Sequence, residues 1–114
     1  MGWTFSEDFT PASIVRELET VIAGATVLGS ATTKPRPAER IHWQAIRAPQ
    51  GNVVICCALI RQEDGEWGYK LMDESMGPNY YDCPMQLLNM ATEPTPGTYA
   101  AEWRAKVRAH HAAH

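Results

Sequence analysis

The run Asn52-Val-Val-Ile-Cys-Cys-Ala-Leu-Ile-Arg-Gln62 constrains the chain more than any other feature. Successive side chains of a strand point to opposite faces. A strand whose two faces are both apolar belongs in the middle of a sheet, with neighbours on each side. The apolar stretch from Val53 to Ile60 is also too short to cross a bilayer.

The neighbours are found on either side of it. Glu39 to Arg47 alternates, with Ile41, Trp43 and Ala45 on one face, and Pro49 and Gly51 fit positions two and four of a type I turn leading into the central strand. Asp64-Gly65 is a two-residue hairpin signal. After it, Glu66 to Asp73 places Trp67, Tyr69 and Leu71 on one face and Lys70 and Met72 on the other. Ala25 to Thr33 is small and β-branched, as an edge strand would be. Lys34-Pro35-Arg36-Pro37 reads as a stiff loop, because each proline removes a donor and holds its predecessor extended.

Helices flank this block. Thr10-Pro11 is an N-cap followed by proline at the first helical position. Ile14, Val15, Leu18, Val21 and Ile22 recur at helical spacing up to Gly24, predicting a helix over residues 11–23. The preceding segment, with Trp3, Phe5 and Phe9, is too aromatic for a free tail and is expected to dock on the domain. Asp82-Cys83-Pro84 starts a second helix through Met85, Leu87, Leu88 and Met90. Tyr99, Trp103 and Val107 mark the apolar stripe of a third, with Arg104, Lys106 and Arg108 toward its C-terminus. The expected fold is α+β. A four-stranded antiparallel meander carries an N-terminal helix and two C-terminal helices packed on one face, in one domain over residues 1–114.

Composition narrows the function classes. With 13 acidic and 10 basic residues the formal charge is -3, which favours neither nucleic-acid binding nor mimicry of a polyanion. No apolar segment suits a membrane, and the acidic N-terminus does not resemble a signal peptide, so a cytoplasmic protein is expected. Cys56, Cys57 and Cys83 form no disulfide framework; the first two are adjacent in a strand and point apart.

Chemistry concentrates in Met72-Asp73-Glu74-Ser75-Met76-Gly77-Pro78-Asn79-Tyr80-Tyr81-Asp82-Cys83-Pro84, which leaves a strand and enters a helix. Asp73, Glu74 and Asp82 are oxygen ligands of the type hard cations prefer, but their spacing fits no EF-hand loop. Cys83 at a helix start is a candidate nucleophile with His42 as its base. Alternatively the acids cap and anchor the loop. His110, His111 and His114 are at most a weak metal trap on a frayed terminus. No cofactor and no resident metal are expected. Tyr80 and Tyr81, in a loop, have the character of interface anchors, so Asp73, Glu74, Tyr80, Tyr81 and Asp82 form the candidate partner-binding set.

Met1-Gly-Trp-Thr-Phe5, Gly68-Tyr-Lys-Leu-Met-Asp-Glu-Ser-Met-Gly-Pro78, Cys83-Pro84 with Leu87-Leu88, and Ala101-Glu-Trp-Arg104 together resemble a family of uncharacterised small proteins encoded on bacteriophages, plasmids and other mobile elements. The similarity is spread over most of the chain, while 25–62 matches only in general character. The resemblance implies a mobile-element setting and no catalytic residue. In that setting the leading expectation is a non-enzymatic module that binds a bacterial host or defence protein, as anti-CRISPR or anti-restriction inhibitors do. The alternatives are a small cysteine- or metal-dependent enzyme working through Asp73, Glu74, Asp82 and Cys83, and a structural component of a phage or conjugation complex.

Overall fold

The computed structural model describes residues 2–113. In chain order the elements are β1 (Thr4–Ser6), α1 (Pro11–Glu19), β2 (Thr26–Arg36), β3 (Glu39–Arg47), β4 (Val53–Glu63), β5 (Glu66–Asp73), a 3-10 turn (Glu74–Met76), α2 (Met85–Leu88) and α3 (Tyr99–Ala113). The strands form one antiparallel sheet in the order β1-β5-β4-β3-β2. The class is therefore mixed α and β with the expected meander and a central β4, but the sheet has five strands where four were expected. The aromatic N-terminal segment supplies the extra one: Thr4, Phe5 and Ser6 pair with Tyr69, Gly68 and Trp67.

The turns follow their residues. Ala48, Pro49, Gln50 and Gly51 close with a bond from the Gly51 N–H to the Ala48 carbonyl at 2.9 Å. Asp64 and Gly65 both have positive φ, 50° and 79°, as a tight hairpin matched to strand twist requires. In α1 the Thr10 hydroxyl accepts from the Ser13 N–H while the Ser13 hydroxyl accepts from the Thr10 N–H, a reciprocal cap. The helix ends at Glu19, short of residue 23. The Thr20 hydroxyl captures the Glu17 carbonyl at 2.8 Å, and the β-branched run Thr20-Val21-Ile22 resists further helical turns. The segment expected to be a Lys34–Pro37 loop is instead mostly strand. β2 runs to Arg36, which pairs with Glu39, and only Pro37-Ala38 turn. Pro35 is tolerated because β2 is an edge strand and the register shifts between Thr33 and Arg36.

The helices do not share a face, contrary to expectation. Ile41, Trp43, Ala45, Val53, Ile55, Cys57 and Leu59 pack with Leu87, Leu88, Trp103 and Val107 of α2 and α3. On the opposite face Ile46, Cys56, Ala58 and Ile60 pack with Ile14 and Leu18 of α1. The reason lies in β4. Its alternate residues are apolar in both directions, so a one-sided arrangement would leave Cys56, Ala58 and Ile60 in water. Indole rings fix the α3 side: Trp43 and Trp103 lie 5.8 Å apart, Trp43 Nε1–H donates to the Thr33 hydroxyl and Trp103 Nε1–H to the Tyr80 carbonyl, each at 2.9 Å.

Candidate functional site

The segment following β5 is shaped by its polar residues. Asp73 Oδ1 accepts from the Ser75 N–H at 2.8 Å and from the Ser75 hydroxyl, starting the 3-10 turn, and Gly77 ends it in the left-handed region at φ 61°. Glu74 turns inward. Its carboxylate accepts two hydrogen bonds from Arg104 of α3, from Nε at 2.6 Å and Nη2 at 2.7 Å, with the arginine side chain 1% and the glutamate side chain 7% exposed. This forked pair locks the turn to the middle of α3. Arg104 is thus an internal strut and not one of the surface cations at the helix end.

The remaining candidates are divided between support and surface. Tyr80 is half-buried; its hydroxyl donates to Glu39 Oε2 at 3.3 Å, and burial foremost, then the Glu39 carboxylate, raises its pKa. Tyr81 is half-buried against the α3-side core, with Lys106 Nζ 5.9 Å from its ring. Asp82 is partly buried, and its Oδ1 lies inside the protein without a donor among the described residues. Tyr81 alone of the five lines the groove between this loop and α3. The groove has a volume of about 240 Å³, and Met76, Asn79, Tyr99, Glu102 and Lys106 also line it. Met76 is 43% and Tyr99 71% exposed. Tyr99 belongs to the helical stripe that continues into Trp103 and Val107, yet it lies outside the core. It is the first residue of α3, just after the Thr98 hydroxyl that accepts the Ala101 N–H. That cap after Pro94 and Pro96 was a legible sign that Tyr99 overhangs the core.

The nucleophile arrangement does not form. Cys83 is fully buried; burial, then Asp82 and Glu74, pushes its thiol up to about 12 although Arg104 opposes the shift. The helix it precedes has four residues. His42 lies across the sheet, where Nδ1 meets the Thr32 hydroxyl at 3.3 Å and Nε2 meets the Gln44 amide nitrogen at 3.1 Å. Cys56 and Cys57 are likewise buried, and burial raises both thiols. The three-acid cation arrangement does not form either, since Glu74 is committed to Arg104. Among the described residues no group of three or more metal-ligating side chains converges. α3 continues through His110 and His111 to Ala113 instead of fraying, and His111 Nε2 lies 2.7 Å from the Cys83 carbonyl oxygen. His114, the third histidine of that candidate trap, and Met1, which opens the first resemblance motif, lie outside the described residues.

The resulting surface presents a phenol, a thioether, an amide and one charge of each sign beside a turn that a buried ion pair ties to α3. No helix among the described residues is long and apolar enough to cross a membrane. Comparison of the chain with protein-family models, curated proteins and solved structures finds no match.

Proposed function

We propose that the protein is a non-enzymatic protein-binding module that engages its partner through the groove between the loop after β5 and the start of α3. The observation that carries this reading is the exposure of Tyr99 and Met76 on a groove between α3 and a turn that the Glu74–Arg104 pair ties to that helix. Exposed rings on a pre-organised base lose little conformational freedom on binding. Tyr81 contributes from the candidate set; Glu74 and Asp73 hold the groove in shape.

The partner class, a bacterial host or defence protein, follows from the sequence's resemblance to the mobile-element family. An inhibitor of this kind occupies a surface that the defence complex needs. The test is a pull-down from bacterial lysate with defence systems expressed, comparing wild type with a Tyr99→Ala, Met76→Ser variant. Both side chains are exposed, so the variant is expected to melt like wild type. A stoichiometric partner retained by wild type and lost by the variant supports the module. Equal recovery of that partner by both proteins overturns the assignment of the groove, and recovery of the bait alone with wild type counts against the function.

A further inference from the structure

Strand alternation sorts the charges at the end of the sheet where β2 turns into β3 and β4 into β5. Glu39, Arg61 and Glu63 share a face with Ile41 and Leu59, on the side that carries α3. The acids there are matched: Arg36 reaches Glu39 at 3.6 Å, Arg61 reaches Glu63 at 3.3 Å, and Glu39 also accepts from the Tyr80 hydroxyl. Arg40 and His42 alternate to the other face, beside α1, and leave those acids behind.

A recess of about 380 Å³ lies there between α1 and the sheet, within the range of small-molecule sites. Pro11, Ala12 and Val15 of α1 give it an apolar wall, and its charged side chains are Arg16 and Arg40. No carboxylate among the described residues lines it, and neither arginine has a carboxylate partner among them. Arg40 is half-buried, with its guanidinium carbon over the Trp67 ring at 5.0 Å from the centroid. Stacking of this kind uses the flat face of the guanidinium and leaves its N–H edge for a ligand. Lys34 lines the adjoining hollow, of which Arg40 is also part.

A chain of bonds sets the one hydroxyl of the recess. Glu19 Oε1, which does not line it, accepts from the Gln44 amide nitrogen at 3.4 Å. The same nitrogen donates to His42 Nε2 at 3.1 Å, so the ring proton sits on Nδ1. Nδ1–H donates in turn to the Thr32 oxygen at 3.3 Å, and the hydroxyl proton of that exposed threonine is left to donate outward.

We infer that this recess binds a phosphate monoester with a compact organic body. Arg40 and Arg16 take the phosphate, the Thr32 hydroxyl donates to it, and the body covers Pro11, Ala12 and Val15. A phosphate monoester carries about two negative charges near neutral pH, matching two guanidiniums that have no acid of their own; a monoanion of the same shape leaves one of them unmatched. The site is across the sheet from the groove after β5 and does not depend on it.

The experiment is an amide-detected NMR titration of the full chain, at neutral pH and low ionic strength, with phenyl phosphate, benzenesulfonate and inorganic phosphate. Phenyl phosphate is expected to shift the amides of Ala12, Val15, Thr32 and His42 saturably. Benzenesulfonate, of similar shape and single charge, and inorganic phosphate, which lacks the body, should each bind about threefold or more weakly. Arg40→Gln should weaken phenyl phosphate roughly tenfold, the worth of a charge-assisted hydrogen bond. Arg108→Gln, the same change of charge on α3, should leave the affinity unaltered. Either comparison anion binding as tightly as phenyl phosphate, shifts that fail to saturate or that map outside the recess, or equal weakening by the two variants overturns the proposal. Arg16 is exposed, so Arg16→Gln, expected to weaken binding about threefold, keeps the test decisive if Arg40→Gln does not fold.

Discussion

Burying a guanidinium and a carboxylate together stabilises a protein only when both are fully engaged, because each ion loses its hydration. Glu74 and Arg104 meet that condition in part: two short bonds join them, while Arg104 Nη1 is left without a partner among the described residues. Removing one partner is therefore more damaging than removing both. Glu74→Ala is expected to cost about 3–5 kcal/mol in urea unfolding, and the apolar double substitution Glu74→Leu, Arg104→Met should recover most of it. A second residue-scale effect belongs to His42. Burial holds its pKa below the usual 6.5 despite the opposing Glu19 carboxylate. Protonation would turn Nε2 into a donor facing the Gln44 amide nitrogen, which also donates to Glu19 Oε1 at 3.4 Å. A depressed histidine pKa means that the unfolded chain takes up the proton first. Its contribution is full above the unfolded value of about 6.5 and is lost as the pH falls below it. Melting temperatures over that range should decline less steeply in His42→Gln than in wild type. Neither effect is visible in the sequence. Asp73 and Glu74 read there as equivalent loop acids, and only the fold, by bringing α3 onto the turn, separates a cap from a buried ion.

At the scale of elements, the readable parts are those with local causes: the Thr10 cap, the Asp64-Gly65 hairpin, and the alternation in β3, β4 and β5. β1 has no such signal, being three residues long and lying across a backbone position far away in sequence. A Cβ at Gly68 would come within 2.2 Å of the Phe5 ring, so the bare glycine is what allows that ring to cover β5. The cover is reinforced by Arg61, whose guanidinium carbon lies 4.2 Å from the Trp3 ring and 5.5 Å from that of Phe5. Gly68→Ala is expected to displace Phe5 and cost about 1–3 kcal/mol, with loss of amide protection at Thr4–Ser6 while the β3–β4 amides stay protected. The path of β2 through Pro35 escaped sequence reasoning for a related reason. Proline excludes a central strand, but whether a strand lies at the edge is decided by the whole sheet.

For the whole molecule, the decisive fact is that the sheet separates two apolar layers. The two-sided apolarity of β4 already contained this result, yet helix order alone gave no indication of which face each helix would choose. Leu18 of α1 and Val107 of α3 are buried on opposite sides. Leu18→Ala should cost about 2–5 kcal/mol. Combined with Val107→Ala it should be additive within about 0.5 kcal/mol in equilibrium unfolding, because the two sites share no partner. The same sheet keeps His42 from Cys83, so selective alkylation of Cys83 near neutral pH is not expected without unfolding. The order β1-β5-β4-β3-β2 also has a kinetic consequence. β2 to β5 are joined by short hairpins and can pair progressively as a local series, at small loop-closure cost. β1 must wait for β5, the last strand of that series, before it has anything to pair with. During synthesis the Trp3–Phe9 segment therefore emerges before the strand it pairs with and finds its place late, so its aromatic rings stay exposed to wrong partners while the rest of the sheet is being made.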